Sequence, residues 1–198
     1  MLTLAFKDRT PAITDRQALF DGLVRDAYRP AYGLAYRLTG NAAEAEDLMQ
    51  ETFVRAFRFF HRYDETLPFA SWLYRIMTNA HIDLVRRKGK LRTTSLDFGG
   101  ADGTGSWEVP DPDSAPDREL MRNAVDDTVQ AGLLSMTAEF RTAVLLADVE
   151  GLAYEEVADI MRTSVGTVRS RIHRGRKQLR AYLVKHAPET YGDLHDEL

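Results

Sequence analysis

A stretch rich in glycine and proline near the middle of the chain constrains the fold more than any other feature. Residues 91–117 contain four glycines and three prolines, and their apolar residues follow neither a helical nor a strand period. Such a composition favours neither helix nor strand, so it predicts a flexible linker. The 198-residue chain is therefore expected to form two small domains, one on each side of this linker.

The block before the linker has the apolar spacing of helices. In residues 19–36 apolar side chains recur at i, i+1, i+4 and i+5, which predicts one long helix that Pro30 kinks or splits. Asn41 is suited to cap a second helix at residues 42–61, because its side chain can accept hydrogen bonds from the first turn. Pro68 is suited to the first position of a third helix.

The block after the linker also shows only helical spacing. Its predicted helices cover residues 120–134, 138–149, 154–161 and 165–184. Neither block has the period-two alternation of a half-buried strand, so we expect an all-α fold of two small helical domains joined by a flexible acidic linker. The expected boundaries are an N-terminal tail at 1–14, a first domain at 15–92, the linker at 93–118, a second domain at 119–186 and an acidic tail at 187–198.

Charge is distributed unevenly along the chain, although the net charge is only −4. Residues 91–127 hold nine acidic and three basic side chains, whereas residues 160–188 hold eight lysines and arginines and no acid. A second basic cluster ends the first block and consists of Arg86, Arg87, Lys88, Lys90 and Arg92. Basic clusters at the ends of two separate predicted helices favour a nucleic-acid partner over a merely solvated surface.

The composition excludes several classes of chemistry. Without cysteine the chain has no disulfide, no cysteine-ligated zinc and no thiol nucleophile. No apolar run approaches the ~20 residues of a membrane span, so we expect a cytoplasmic protein that does not insert into a membrane.

One group of carboxylates offers an alternative, a metal-dependent hydrolase or phosphotransferase. Its members are Glu44, Glu46, Asp47, Glu51 and His61. The group lacks the Glu-x-x-His pairs of metal-binding bundles, and the chain has no phosphate-binding loop. We therefore expect no enzyme activity, no cofactor and no metal site.

The second predicted helix has a face suited to protein docking. Its members, Asp47, Gln50, Glu51 and Val54, fall within about 100° of one another on a helical projection. An apolar valine beside a row of polar side chains favours a surface that binds another protein.

The last two predicted helices have the dimensions of a helix–turn–helix with a turn at 162–164. Ser164 is suited to cap the second helix of the pair. The buried stripe of that helix is predicted to consist of Val165, Val168, Ile172 and Leu179. Its opposite face has hydroxyls near the N-terminus and cations further along, which is typical of a DNA recognition helix. These residues are Thr167, Ser170, His173, Arg174 and Lys177, flanked by Arg169 and Arg171.

Two segments of the first block resemble bacterial sigma factors of the extracytoplasmic-function (ECF) class. Residues 45–53, AEDLMQETF, resemble the segment of these proteins that binds core RNA polymerase. Residues 69–79, FASWLYRIMTN, resemble the segment that reads the −10 promoter element, and the similarity continues at Asp83, Arg86 and Arg87.

The second block carries the third matching segment. Residues 150–158, EGLAYEEVA, together with residues 164–171, SVGTVRSR, resemble the −35-reading helix–turn–helix of the same family. The three segments occur in the family order and span residues 19–183, most of the chain.

The resemblance implies a dissociable specificity subunit that is not an enzyme and that directs promoter-specific transcription initiation. It implies binding to the β′ clamp and the β flap of core RNA polymerase, to promoter DNA and to an anti-sigma factor. The implied polymerase contacts are Asp47, Leu48, Gln50, Glu51 and Val54. The implied −10 contacts are Tyr63, Phe69, Arg75, Asn79, Asp83, Arg86, Arg87 and Lys88. The implied −35 contacts are Thr167, Arg169, Ser170, Arg171, His173, Arg174, Arg176 and Lys177.

The helix–turn–helix departs from the usual pattern at three positions. Thr163 stands where such motifs favour an apolar residue. Ala153 stands where the family often has a serine or threonine cap, whose loss costs about 1 kcal/mol. Arg162 stands where such motifs favour glycine, so a left-handed conformation there would cost about 1–2 kcal/mol.

A stand-alone helix–turn–helix regulator is the alternative function. It would use only the second block and would leave residues 47–53 and 69–87 without a role. Tight binding of the isolated chain to a duplex would favour this alternative, because a sigma factor should need polymerase.

Overall fold

The computed structural model describes residues 13–93 and 126–193, and the side chains of residues 16–87 and 126–193. All regular structure in these residues is helical, which confirms the expected all-α fold. Most of the predicted N-terminal tail, most of the predicted linker and the last five residues lie outside the described residues.

The first half contains three long helices. They are α1 (Ile13–Thr39), α2 (Ala42–Phe59) and α3 (Phe69–Thr93), with a 3₁₀ turn at Phe60–Arg62 after α2. Pro30 lies inside α1, which continues through it as one helix instead of splitting. The third helix begins at Phe69, one residue later than the prediction that gave its first position to Pro68.

The second half contains five shorter elements and one long helix. They are α4 (Asp127–Leu134), α5 (Ala138–Val144), a π-helical turn (Leu145–Val149), α6 (Tyr154–Met161), α7 (Val165–His186) and α8 (Pro188–Tyr191). The sequence predicted the helix–turn–helix formed by α6 and α7 and its turn at 162–164. It did not predict the π-helical turn, because one inserted residue leaves the apolar period almost unchanged.

Local hydrogen bonds fix where the helices begin. Asn41 caps α2 as predicted, and its Oδ1 accepts from the backbone N–H groups of Ala43 at 2.9 Å and Glu44 at 3.2 Å. Asp126 caps α4 in the same way through Thr128 at 2.7 Å. These hydrogen bonds to the carboxylate hold the pKa of Asp126 below its ordinary value.

An aromatic cluster holds the first half together where α1, α2 and α3 meet. Phe20 of α1 is fully buried, and its ring lies 5.0 Å from that of Phe60 and 6.2 Å from that of Phe69, centroid to centroid. Edge-on pairs of this kind contribute about 0.5–1.5 kcal/mol each beyond their buried area.

The two halves pack directly on each other. Helix α3 contacts α5 and α6, and α1 contacts α4 and α5, so one hydrophobic core runs through both halves. Gly40, in the turn between α1 and α2, has a φ of 72° and lies against the side chain of Leu134. Two domains were predicted, but their contact was not.

Candidate functional site

The predicted docking face of α2 is open. Asp47 and Gln50 are exposed, and Glu51 and Val54 are half-buried on the same side of the helix. Glu51 accepts a hydrogen bond from Nε of Arg55 one turn later, which orients its carboxylate along the face.

Leu48 does not belong to this face. Its side chain is 0% exposed and lies in the core of the first half. It holds α2 in place and cannot contact a partner without unfolding the helix packing, which corrects the contact role that the resemblance implied.

The loop before α3 is held by its own side chains. Tyr63 donates a hydrogen bond from Oη to the backbone carbonyl of Leu67 at 2.7 Å, which closes the loop. Asp64 Oδ1 accepts from the backbone N–H of Thr66 at 3.0 Å and from its hydroxyl at 2.7 Å. These two bonds lower the pKa of Asp64, so the carboxylate stays charged and the turn stays closed.

Aromatic rings support that loop from below. The Tyr63 ring stacks on Phe60 at 5.6 Å and lies 5.3 Å from Trp72 and 5.4 Å from Phe69. Phe69 is only 7% exposed, so in this structure it supports the loop and does not present its ring to solvent. Tyr63 and Trp72 are half-buried and do reach the surface.

The remaining predicted −10 residues lie along α3. Asn79 is half-buried, and its Nδ2 donates to the carbonyl of Arg75 at 2.6 Å. The exposed ones are Arg75, Asp83, Arg86 and Arg87, whereas the side chain of Lys88 lies outside the described residues. Three of these side chains, those of Arg75, Arg86 and Arg87, form a basic ridge along α3.

The turn of the helix–turn–helix adopts the left-handed conformation that costs a non-glycine residue about 1–2 kcal/mol. Arg162 has a φ of 51° and a ψ of 53°, the left-handed conformation. Ser164 caps α7 and accepts from the backbone N–H of Thr167 at 3.1 Å. At the start of α6, Ala153 offers no side-chain cap, and Glu156 instead accepts from the Ala153 N–H at 2.9 Å. Only the glutamate half of a capping box is therefore present, because Ala153 lacks the hydroxyl of the usual serine or threonine.

The inner face of α7 packs closely against the rest of the second half. Val168 and Ile172 are buried as predicted, and Val165 and Leu179 are half-buried. Gly175 is also buried, and a Cβ there would lie 2.6 Å from Val144 and 3.3 Å from the carbonyl oxygen of Phe140. The sequence analysis missed this position, although a glycine inside a predicted helix is itself a signal of close packing.

The outer face of α7 carries most of the predicted −35 residues. Thr167 and Arg171 are half-buried, and the exposed ones are Arg169, Ser170, His173, Arg174, Arg176 and Lys177. Arg176 differs from the others because Asp148 binds its guanidinium with both carboxylate oxygens, which raises the pKa of Arg176. Within the described residues, no acidic side chain forms an ion pair with Arg169 or Arg174.

Two family models match the chain, one in each half. The model of Sigma-70 region 2 matches residues 23–91, and the model of Sigma-70, region 4, matches residues 127–179. The chain is 34% identical over 171 residues to the ECF RNA polymerase sigma factor SigW of Bacillus subtilis, with 85% of this chain and 90% of SigW covered. The chain belongs to the ECF sigma factor family.

A second ECF sigma factor has higher identity but a longer chain. SigE of Mycolicibacterium smegmatis is 46% identical over 173 residues, which are 86% of this chain and 64% of SigE. The chain therefore spans slightly less than two thirds of the length of that relative.

Solved structures of similar fold include a further sigma factor. The sigma factor RpoE of Bartonella quintana, solved in complex with the anti-sigma factor NepR, has a TM-score of 0.60 at 21% identity and covers 86% of this chain and 98% of its own. CnrH, solved with the cytosolic domain of CnrY, has a TM-score of 0.56 at 25% identity, covering 86% of this chain and 91% of its own. At 21% identity, the similarity to RpoE shows a shared fold and nothing more.

Region 2 of this ECF sigma factor contains the α2 face, the aromatic loop and the basic ridge of α3. Region 4 contains the helix–turn–helix and the outer face of α7. In residues 13–93 and 126–193 no helix is long and apolar enough to cross a membrane. Within the same residues, no three His, Asp or Glu side chains lie close enough together to hold a metal ion. The carboxylates near α2 therefore do not converge on one point.

Proposed function

We propose that this sigma factor binds core RNA polymerase through α2 and directs initiation at promoters that it reads with α3 and α7. The observation that carries the proposal is that one chain exposes two unlike faces. The α2 face offers Asp47 and Gln50, and the α7 face offers Arg169 and Arg174, which form no ion pair within the described residues. A chain that joins a polymerase-docking face to a DNA-reading face can bring polymerase to a chosen sequence.

On polymerase, the polar side chains of the α2 face contact the β′ clamp around the apolar Val54. The second half binds near the β flap. The exposed position of Asp47 and Gln50 supports this, because docking there requires no rearrangement of α2.

At the −35 element, α7 enters the major groove with its N-terminal half. The residues suited to base edges are Thr167, Arg169, Ser170, His173 and Arg174, and those suited to phosphates are Arg171, Arg176 and Lys177. Arginine binds guanine with two hydrogen bonds, and the helix N-terminus favours phosphate.

At the −10 element, the loop closed by Tyr63 and the side chain of Asn79 hold an extruded base of the melted strand. Extrusion costs a few kcal/mol of stacking, which a rigid aromatic-backed pocket can recover. Arg75, Arg86 and Arg87 bind the backbone of the single strand, because their side chains project from α3 into solvent.

The further assignments follow from this role. Sigma factors are initiation factors and not enzymes, and this one works in the cytoplasm, where polymerase acts on DNA. An anti-sigma factor is the proposed negative regulator, a proposal supported by the similar sigma factor RpoE, which was solved in complex with the anti-sigma factor NepR.

Reconstituted transcription tests the proposal. The purified chain is mixed with sigma-free core polymerase and genomic DNA fragments, and transcript starts are mapped. We expect discrete starts that depend on the chain and share two upstream elements. With a polymerase that works alongside another sigma factor, no chain-dependent starts and no co-elution with core would favour the stand-alone regulator instead.

A further inference from the structure

The side chain of Arg16, near the start of α1, reaches the end of α2. Its Nη2 donates a hydrogen bond to the backbone carbonyl of Phe60 at 2.9 Å, across 44 positions of sequence. Its guanidinium carbon lies 5.5 Å from the centre of the Phe60 ring. The last carbonyls of a helix have no partner within it, and a cation placed there also interacts favourably with the helix dipole. Arg16 therefore binds Phe60 through both its backbone and its ring.

The carbonyl that Arg16 binds is also the one that closes the 3₁₀ turn after α2. The backbone N–H of Tyr63 donates to the Phe60 oxygen at 3.1 Å, so this oxygen accepts two hydrogen bonds. A carbonyl oxygen has two lone pairs and can accept both. The turn determines where the chain leaves α2 and enters the loop at residues 63–68. Arg16 therefore contacts the point at which this loop begins.

The ring of Phe60 connects this contact to the rest of the loop. Phe60 is 6% exposed, and its ring stacks on that of Tyr63 at 5.6 Å. Tyr63 in turn donates from Oη to the carbonyl of Leu67 at 2.7 Å. A continuous series of contacts thus runs from Arg16 through Phe60 and Tyr63 to the far end of the loop.

Arg16 belongs to none of the surfaces assigned above. It precedes residues 23–91, which the model of Sigma-70 region 2 matches, and it lies outside all three segments that resemble the family. Within the described residues, no acidic side chain forms an ion pair with Arg16. Loss of its guanidinium would therefore act on the turn at Phe60 and not on a network of ion pairs.

We propose that Arg16 is a positioning residue for reading of the −10 element. It holds the 3₁₀ turn so that Tyr63 and the loop keep the shape that receives the extruded base. A loop that is already ordered loses less conformational entropy when it binds, so more of the contact energy remains for the base. The inference rests on the proposed function for the role of the loop in reading DNA, whereas the effect of Arg16 on the loop is a property of the free chain.

Amide hydrogen exchange, measured by NMR on the free chain, tests that effect. Arg16→Met removes the donors but keeps a long side chain that can pack on the Phe60 ring. We expect the amides of Tyr63 and Leu67 to exchange about two- to tenfold faster in this variant, because their turn has lost one hydrogen bond. The amide of Val168 in α7 should not change. Unchanged exchange at Tyr63, or an equal acceleration at Val168, would overturn the inference.

Two further variants show whether the contact itself is responsible. Arg16→Lys restores a charged donor at the same position, so it should return the exchange of the Tyr63 amide toward the parent rate. Arg25→Met is the matched control, because Arg25 is another exposed arginine of α1. We expect parent rates in this control. If it accelerated the Tyr63 amide as much as Arg16→Met does, the cause would be the lost charge and the positioning role would be wrong.

Transcription with core polymerase tests the consequence for promoter reading. We expect Arg16→Met to bind core with the affinity of the parent chain but to open promoters about two- to tenfold more slowly. In libraries of promoter variants its preference among −10 bases should weaken, its preference among −35 bases should not, and Arg16→Lys should restore the first. An equal loss of both preferences would indicate a merely structural role and overturn the inference. If the parent chain produced no specific transcript, the proposed function would fail, while amide exchange would still decide whether Arg16 holds the loop.

Discussion

Arg176 of the recognition helix binds Asp148 of the π-helical turn with two parallel hydrogen bonds. Nε donates to Oδ2 at 2.9 Å, and Nη2 donates to Oδ1. The π-helical turn brings Asp148 to this position and Glu150 to the interface with α3. The π-helical turn at the end of α5 therefore determines both where α7 packs and where the second half contacts α3.

A double-mutant cycle measures the Asp148–Arg176 pair. The variants Asp148→Asn, Arg176→Gln and their combination are compared by urea unfolding. We expect a coupling of about 0.5–1 kcal/mol, because the pair is partly exposed but has two-point geometry. The control cycle uses Arg86→Gln and Glu139→Gln, a single contact of 3.5 Å with Arg86 63% exposed. Its coupling should stay near zero, and equal couplings in the two cycles would contradict the structural role of Asp148.

The sequence predicted those features that depend on local pattern. Apolar spacing located the long helices, and the capping preferences of Asn41 and Ser164 located two helix starts. Each of these depends on residues within one or two turns of each other.

What the sequence could not predict depends on long-range packing. The hydrogen bond that Tyr74 of α3 donates to Glu150 joins residues 76 positions apart, and neither side chain differs locally from an ordinary surface tyrosine or glutamate. The burial of Leu48 agrees with the helical period, yet the family resemblance alone had placed it among the partner contacts. Periodicity was the better guide to that residue.

Loss of the α2 face should weaken polymerase binding. We expect the variant Asp47→Ala/Gln50→Ala to bind core at least about tenfold more weakly, because two exposed hydrogen-bonding side chains are lost. The control Asp26→Ala/Gln17→Ala removes the same two residue types from exposed positions of α1. Binding is measured by fluorescence anisotropy, with circular dichroism to verify the helix content. Parallel weakening of the two variants would count against the docking face.

Arg174 and Lys177 should differ in how they affect promoter choice. We expect Arg174→Ala to lose about 1–3 kcal/mol of discrimination at one position of the −35 element, as a lost base contact does. We expect Lys177→Ala to weaken binding to all sequences alike and to flatten its salt dependence, as a lost phosphate contact does. Transcription from a library of −35 variants distinguishes the two patterns. An unchanged preference in Arg174→Ala would remove that residue from the base-reading set.

The turn at Arg162 stores conformational strain. Glycine reaches a φ of 51° without the clash that a Cβ causes, so Arg162→Gly should raise the free energy of unfolding by about 0.5–1 kcal/mol. The control Arg162→Ala removes the same long side chain but keeps the Cβ, so its stability should stay close to that of the parent chain. A similar gain in both variants would assign the effect to the arginine side chain and not to the backbone.

Two glycines of α7 should respond oppositely to alanine. At Gly175 the new methyl would meet Val144 and the fixed carbonyl of Phe140, so Gly175→Ala should lower the free energy of unfolding by about 1–2 kcal/mol. At Gly166 the nearest atom is Ser164 Oγ at 3.9 Å, so alanine fits there and should raise that free energy by about 0.5 kcal/mol through its better helix propensity. Urea unfolding measures both. The substitution and the helix are the same in both variants, so a difference in stability between them reports the packing of α7 on α5. If Gly175→Ala were more stable than the parent chain, this close contact would not limit the position of α7.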